Sequence, residues 1–334
     1  MDMRKILFFF ARILFVAVCV FTLCAAPFFN KRKAESKDYS LEIWQVDCFE
    51  GGTGSRRAYL QSVAKKFCNI KNAKLGAGNN GYGGKVTASV KSHTIYSAEE
   101  SFAAGIFPDV ISFGAGLELP YSRLVKLDFD GGAACEYGKE SYAAVWARGG
   151  YCLITKKGET QINKLIIGEQ KYNLPLLACR LSNLKMPETV EELPSDKCFY
   201  EFNSSKNCGW VATQRDLYRV DGKIEVDVQP LNGYNDLYQC AAVLSCENGN
   251  EKAACEFLKF LCSGDYSNPS VIGMLSPNGF AKDESAPISR LSGQNADYCL
   301  NVFTSRAGIE RLKTQCADFD LNAQNIKNAL KYLK

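Results

Sequence analysis

"FAAGIFPDVISFGAG", residues 102–116 of a 334-residue chain, is the stretch on which the reading of the fold turns. A helix end at Gly105, a Pro and an Asp lead into the apolar strand "DVISF", which runs straight into "GAG". A strand that finishes on Ser and Gly at its carboxyl end is a common way for an α/β protein to line a ligand crevice. Upstream, "LEIWQV" (41–46) reads as a strand and opens into the Gly-rich loop "DCFEGGTGS". In "RRAYLQSVAKKF", Tyr59, Leu60, Val63, Ala64 and Phe67 recur at helical spacing. "KVTASV" (85–90) is a second strand, and "SAEE" (97–100) matches a capping box that starts a short helix running through Ala104. Strand, loop, helix, strand, helix, strand predicts a parallel, doubly wound beginning.

The pattern continues to the carboxyl end. "GGYCLIT" (149–155) is strand-like, and "PETVEEL" (187–193) predicts a short helix with Pro in its first turn. "GWVA" leads into "TQRDLYRV", and "KIEVDV" alternates like a half-exposed strand. "NEKAACEFLKFLC" (250–262) is strongly helical, with Ala254, Phe257, Leu258 and Leu261 on one side. "SRAGIERLKTQC" and "LNAQNIKNALKYLK" predict terminal helices, the second capped by Asp320. There is no internal repeat. The fold class is α/β, in two lobes.

The first forty residues differ from the rest. Arg4 and Lys5 precede an apolar segment whose uncharged stretch runs from Ile13 to Phe29. With Ile6 to Phe10 added it reaches the ~20 residues that span a bilayer, and Arg12 lies where its side chain can snorkel. Three readings compete for residues 1–29: a cleaved signal peptide, a retained signal-anchor helix, and a lipoprotein signal. Cys24 follows Thr22 and Leu23, which is poor for lipidation, and Pro27 spoils the cleavage site. All three send the remainder outside the cytoplasm, with the polar residues 30–40 as a tether to the membrane. A net charge of +4, with no basic run beyond Lys31, Arg32 and Lys33, excludes a nucleic-acid-binding class. Of fifteen cysteines, Cys19 and Cys24 lie in the apolar segment. The other thirteen show no C-x-x-C spacing, so a zinc or redox motif is unsupported.

Catalytic constellations are scarce. His93, the single histidine, lies between a strand and a helix and would have to serve any Ser-His-Asp or Cys-His arrangement. "EGGTGSR" lacks the G-K-[ST] ending of a phosphate loop. Glu50, Asp109, Asp216 and Asp236 lie near loops, and nothing marks two of them as the carboxylate pair of a glycosidase. Aromatic residues beside polar ones are more telling. "AVWARGGY" places Trp146 and Tyr151 around Arg148, and "CGWVATQRDLYR" places Trp210 near Thr213, Gln214, Arg215 and Asp216. Sugars bind aromatic faces through their C–H surfaces and planar polar groups through their hydroxyls.

These segments, in this order, resemble the extracellular solute-binding proteins of ABC importers, in the large carbohydrate-binding group and of the Gram-positive type. The best marker is the "aaG-x-x-PD" element, Ala103 to Asp109, supported by "VISFGAG", "AVWARGGYCLIT", "GWVATQRDLYRV" and "AACEFLKFLCSGDYSN". The resemblance covers Leu41 to about Ser276; the chain is shorter than many relatives between Lys156 and Pro187 and lacks a good lipobox. It implies a two-lobed, periplasmic-binding-protein-like fold of type II with a hinge, preceded by the N-terminal hydrophobic helix. Lobe 1 would begin with 41–150, lobe 2 would take 151–240, and 241–334 would return and supply C-terminal helices to both. It further implies a ligand held between the lobes by Glu50, Gly51, Ser112, Gly114 and Trp146 of the first and by Thr213, Arg215 and Asp216 of the second. The implied solute is a sugar and the implied partners are ABC permease subunits, with no cofactor, no metal and no chemical step. A ligand-sensing ectodomain of the same fold and a secreted glycoside-acting enzyme are the competing functions.

Overall fold

The computed structural model describes residues 38–76 and 84–317, together with Asn325 and Asn328. The hydrophobic helix expected in residues 1–29, most of the tether and all but Asn325 and Asn328 of the helix expected at 321–334 lie outside the described residues. By its contacts the chain forms two units, residues 1–39 with 70–86, and residues 40–69 with 87–334. In the first unit the Asn72 side chain clamps the Val86 backbone with two 2.8 Å bonds. There too Tyr39 N donates to Lys85 O at 2.8 Å. Apart from Tyr39, residues 70–76 and Val86, both lobes described below lie in the second unit.

β1 (Tyr39–Val46) buries Leu41, Ile43, Trp44 and Val46, so it is covered on both faces as central strands of α/β sheets are. In α1 (Arg56–Gly76) the five apolar residues picked out by helical spacing are all buried. β2 (Val86–His93) runs three residues beyond the expected strand and leads into α2 (Ile95–Ala103). The cap of α2 is Thr94 rather than Ser97. Ser97 N donates to Thr94 Oγ1 at 3.1 Å, Thr94 N donates to Ser97 Oγ at 3.0 Å, and Ser97 is thus the fourth residue of the box, not its first. Gly105, at φ +77°, ends the turn as expected, and β3 (Val110–Phe113) is buried throughout.

A small hairpin, β4 (Glu136–Tyr137) and β5 (Glu140–Ser141), precedes β6 (Ala143–Arg148). The chain then enters β7 (Tyr151–Lys156), β8 (Lys164–Gly168), α3 (Pro175–Leu181) and β9 (Thr189–Leu193). It continues through α4 (Ser195–Ser204), β10 (Cys208–Thr213), α5 (Gln214–Val220) and β11 (Val226–Pro230). The return passes through β12 (Tyr234–Asn235), β13 (Tyr238–Val243), α6 (Glu251–Cys262), β14 (Tyr298–Cys299) and α7 (Arg306–Ala317). "TVEEL" is therefore a strand, not the helix predicted for 187–193. It pairs in parallel with β8 from Lys164↔Thr189 to Gly168↔Leu193. β-Branched Thr189 and Val190 suit that edge, and Lys164 lies between the carboxylates of Glu191 and Glu201.

The first sheet has the order β2-β1-β3-β13-β6 and the second β11-β7-β10-β8-β9. β1 and β3 are parallel, as the opening motif requires, while β13 runs antiparallel between β3 and β6. The carboxyl ends of β1, β3 and β6 consequently share one edge with the start of β13. Each sheet has its own core. Trp44, Ile111, Phe113 and Ala242 belong to the first, and Ile154, Phe202, Trp210 and Leu217 to the second, which also takes Leu275, Ile288 and Leu291 from far along the chain.

At the crossing between sheets Asp236 is fully enclosed. Its carboxylate accepts from Tyr151 Oη at 2.6 Å, Tyr234 Oη at 3.0 Å and Leu174 N at 2.7 Å. Asp236→Ala leaves three buried donors unmet, and a loss of about 3 kcal/mol or more is expected in urea unfolding, since each orphaned group costs ~1–3 kcal/mol. The thirteen described cysteines are all free thiols. Burial pushes Cys179, Cys262 and Cys316 up to about 12 and Cys246 up to about 11. Such thiols are protonated and inert at neutral pH. Iodoacetamide should thus label the native protein sparsely at neutral pH, more as pH rises, and at every described cysteine in denaturant, read as a mass increment.

Candidate ligand-binding site

The loop after β1 is built around Arg56 at the start of α1. Its buried guanidinium donates to Phe49 O at 2.6 Å and to Gln239 Oε1 at 2.8 Å, and pairs with Asp47 at 2.8 Å. Gln239 Nε2 donates to Ser112 Oγ at 2.9 Å, and so does Trp146 Nε1 at 2.9 Å. Ser112, at the end of β3, is therefore a buried acceptor joining three strands of the first sheet. Trp146 is wholly buried, its ring stacked on Tyr59 with centroids 5.4 Å apart. Gly114 receives its close backbone neighbours from this chain itself: a Cβ there would lie 3.0 Å from Tyr238 O and 3.2 Å from Cys48 Cβ.

The second lobe meets that loop with the start of α5. Thr213 N donates to Asp216 Oδ2 at 2.8 Å, the capping arrangement that begins the helix. Arg219 bridges Asp216 at 2.6 Å and Glu50 at 3.3 Å, and Arg215 approaches Glu50 at 3.6 Å. Gln214 Nε2 donates to the carbonyls of Glu50 and Gly51, each at 3.3 Å. Thr53 N donates to Ile272 O at 3.0 Å, so Gly52 sits flush on that backbone: a Cβ on it would fall 1.8 Å from Ile272 O. The structure thus brings Glu50, Gly51, Thr213, Arg215 and Asp216 together across the lobes. Ser112, Gly114 and Trp146 stand behind them in the first lobe. The gap beneath Thr213 and Asp216 is only about 10 Å³, room for one water.

The large cavity lies to the β6 side of this contact. It measures about 790 Å³, within the range of small-molecule sites. Its walls are the loop Phe129–Ala134, Val145 and Arg148 of β6, Tyr238 at the start of β13, and the end of α6 at Cys262. Two further segments, Pro277–Asn278 and Ala296–Cys299, close it. The first of these follows Leu275, which packs in the second core. Arg148 and Tyr238 were missed as site residues by sequence reasoning. The available signal was the stretch "AVWARGGY", where an Arg stands at the point at which the chain leaves the first lobe.

The carboxylates near loops are otherwise engaged. Asp109 accepts from Glu42 N at 2.7 Å and from Asn248 Nδ2 at 2.7 Å, and Asp236 holds the crossing. His93 stacks on Trp44 with centroids 4.0 Å apart, and burial lowers its pKa. Among the described residues no group of three or more His, Cys, Asp or Glu is placed to hold a metal ion, and no helix is long and apolar enough to cross a membrane.

No family model matches the chain, and no curated protein matches it in sequence. Solved structures do match. A cyclo/maltodextrin-binding protein complexed with maltotetraose superposes at a TM-score of 0.55 and 13% identity, over 90% of this chain and 97% of that one. An ABC substrate-binding protein from Listeria monocytogenes in complex with cycloalternan gives 0.54 and 10%, over 89% of this chain and 98% of that one. The likeness establishes the fold, that of two-lobed substrate-binding proteins, as the order of segments predicted.

The cross-lobe contact makes its own prediction. Glu50→Gln removes both arginine pairs and leaves the Gln214 bonds. Partly exposed pairs contribute up to ~1 kcal/mol each, so the urea midpoint should move little. The radius of gyration from solution scattering should rise as the lobes part; an unchanged radius would show that Glu50 does not hold them.

Proposed function

We propose that the protein is an extracytoplasmic solute-binding protein that captures a saccharide between its lobes and presents it to an ABC permease. The observation that carries this reading is the cavity of about 790 Å³, lined by the first lobe and by the return segment that follows Leu275 of the second core, in a fold shared with substrate-binding proteins. Val145, Tyr238 and Tyr298 give it apolar and aromatic surface, while Arg148, Asn278 and Asp297 give it polar groups for hydroxyls. Glu50, Gly51, Thr213, Arg215 and Asp216 form the meeting faces that closure brings together; Ser112, Gly114 and Trp146 set the shape of the first lobe's edge. Binding, not turnover, is the role: Asp109 and Asp236 are held by structural donors, and His93 lies against Trp44. Residues 1–29 would tether the receptor to the outer face of the membrane.

A thermal-shift screen of the full chain under reducing conditions, against mono- and oligosaccharides, tests the reading. A ligand bound only by the folded state adds about 2.7 kcal/mol of stability at a hundred times its Kd. A saturable rise in Tm without consumption of the sugar is the expected result. Release of a product, or no shift with any saccharide, would overturn the assignment.

A further inference from the structure

Arg148 is in an unusual position for a cation. It is 6% exposed, it lines the large cavity, and its backbone is pinned by two bonds to Leu275, N to O at 3.0 Å and O from N at 2.8 Å. Its polar neighbours are all neutral: Gln294 O, Asn295 Oδ1 at 3.4 Å, and the Tyr238 hydroxyl. Among the described residues Nε has no hydrogen-bond partner. Three other buried or half-buried arginines each have a carboxylate, Arg56 with Asp47, Arg219 with Asp216, and Arg306 with Glu99. Among the described residues none lies within ion-pair reach of Arg148. A guanidinium cannot shed its proton to escape this cost, and an unpaired buried charge is strongly unfavourable.

The other charged groups of the cavity do not relieve it. Lys259 is matched by Asp128 at 2.6 Å. Asp130 and Asp297 are exposed at the walls, where water and salt screen them, and one Asp130 oxygen already accepts from Gly132 N at 2.7 Å. Among the described residues that line the cavity, the one buried charge is positive. Resting on the reading of this chain as a saccharide receptor, we propose that its solute is an acidic saccharide whose anionic group, a carboxylate or a sulfate, is bound by Arg148 at the cavity floor. Charge-assisted bonds of this kind are the strong ones, and a uronate or sulfated sugar would supply the missing counter-charge while its ring lies against Tyr238 and Val145.

The test is calorimetric titration of the full chain, under reducing conditions, with four probes: trigalacturonate, its methyl ester, a sulfated disaccharide and neutral maltotetraose. Tight binding of trigalacturonate, weakened about tenfold or more in the ester and falling with added salt, is expected for a carboxylate; preference for the sulfated probe identifies sulfate instead. Arg148→Gln should abolish the preference for acid over ester. Arg148→Met should leave the ligand-free Tm unchanged or higher, because an apolar side chain replaces an unpaired charge, whereas a merely structural arginine would lower it. Maltotetraose bound as tightly as either acid, by wild type and Arg148→Gln alike, overturns the inference and leaves the receptor reading standing. No binding of any saccharide overturns both.

Discussion

The structure hangs on how the chain crosses between its two sheets. It leaves the first at Arg148 and enters the second at Tyr151, with only Gly149 and Gly150 between. A Cβ at these positions would fall 2.1 Å from Gln214 Oε1 and 2.3 Å from Gln294 Oε1. Those amides fill the space because they tie the crossing down. Gly150 N donates to Gln214 Oε1 at 3.2 Å, Gln294 Nε2 donates to Tyr151 O at 3.1 Å and Leu231 O at 2.8 Å, and Asn235 Nδ2 donates to Gly149 O at 3.1 Å. Neutral amides suit a dry crossing because each can both donate and accept, and burying them costs far less than burying charge.

Strength is distributed unevenly around that crossing. Within each lobe, a continuous apolar core and ladder hydrogen bonds hold the parts together. Across the lobes the contact at Glu50 is polar, partly exposed and worth little in free energy. A weak contact beside two strong cores is the arrangement in which a modest ligand can decide the balance between conformers. Arg148 belongs to both sides of this division. Its side chain reaches the cavity, while its backbone bonds to Leu275, a member of the second core. A molecule that grips the guanidinium therefore grips the hinge.

Much of the fold was legible in the sequence because local patterns there agree with tertiary burial. Helical spacing at Tyr59 to Phe67 and the apolar run of "DVISF" needed no other information. "PETVEEL" misled because Pro and two Glu residues mimic a helix start, whereas the parallel edge of β8, invisible in one dimension, recruits it as a strand. The candidate site divided in the same way. Glu50, Arg215 and Asp216 lie in loops and first turns that topology must bring together, and it does. Trp146 shows the limit: an indole beside glycines suggests a stacking platform, yet Tyr59 covers its face and Ser112 takes its N–H. Arg148 carries the opposite lesson. Its interest lies in the carboxylate it does not have, and a missing neighbour leaves no mark in a sequence.

Gly52 has a consequence for affinity. Its missing side chain is what lets the first lobe lie against the carbonyl of Ile272. A single methyl group placed there would act as a doorstop, holding the two backbones apart. The apparent dissociation constant of a receptor that must shut to bind scales with the fraction of molecules able to shut. In the receptor proposed above, sensitivity to scarce solute would then be set in part by an atom that is absent.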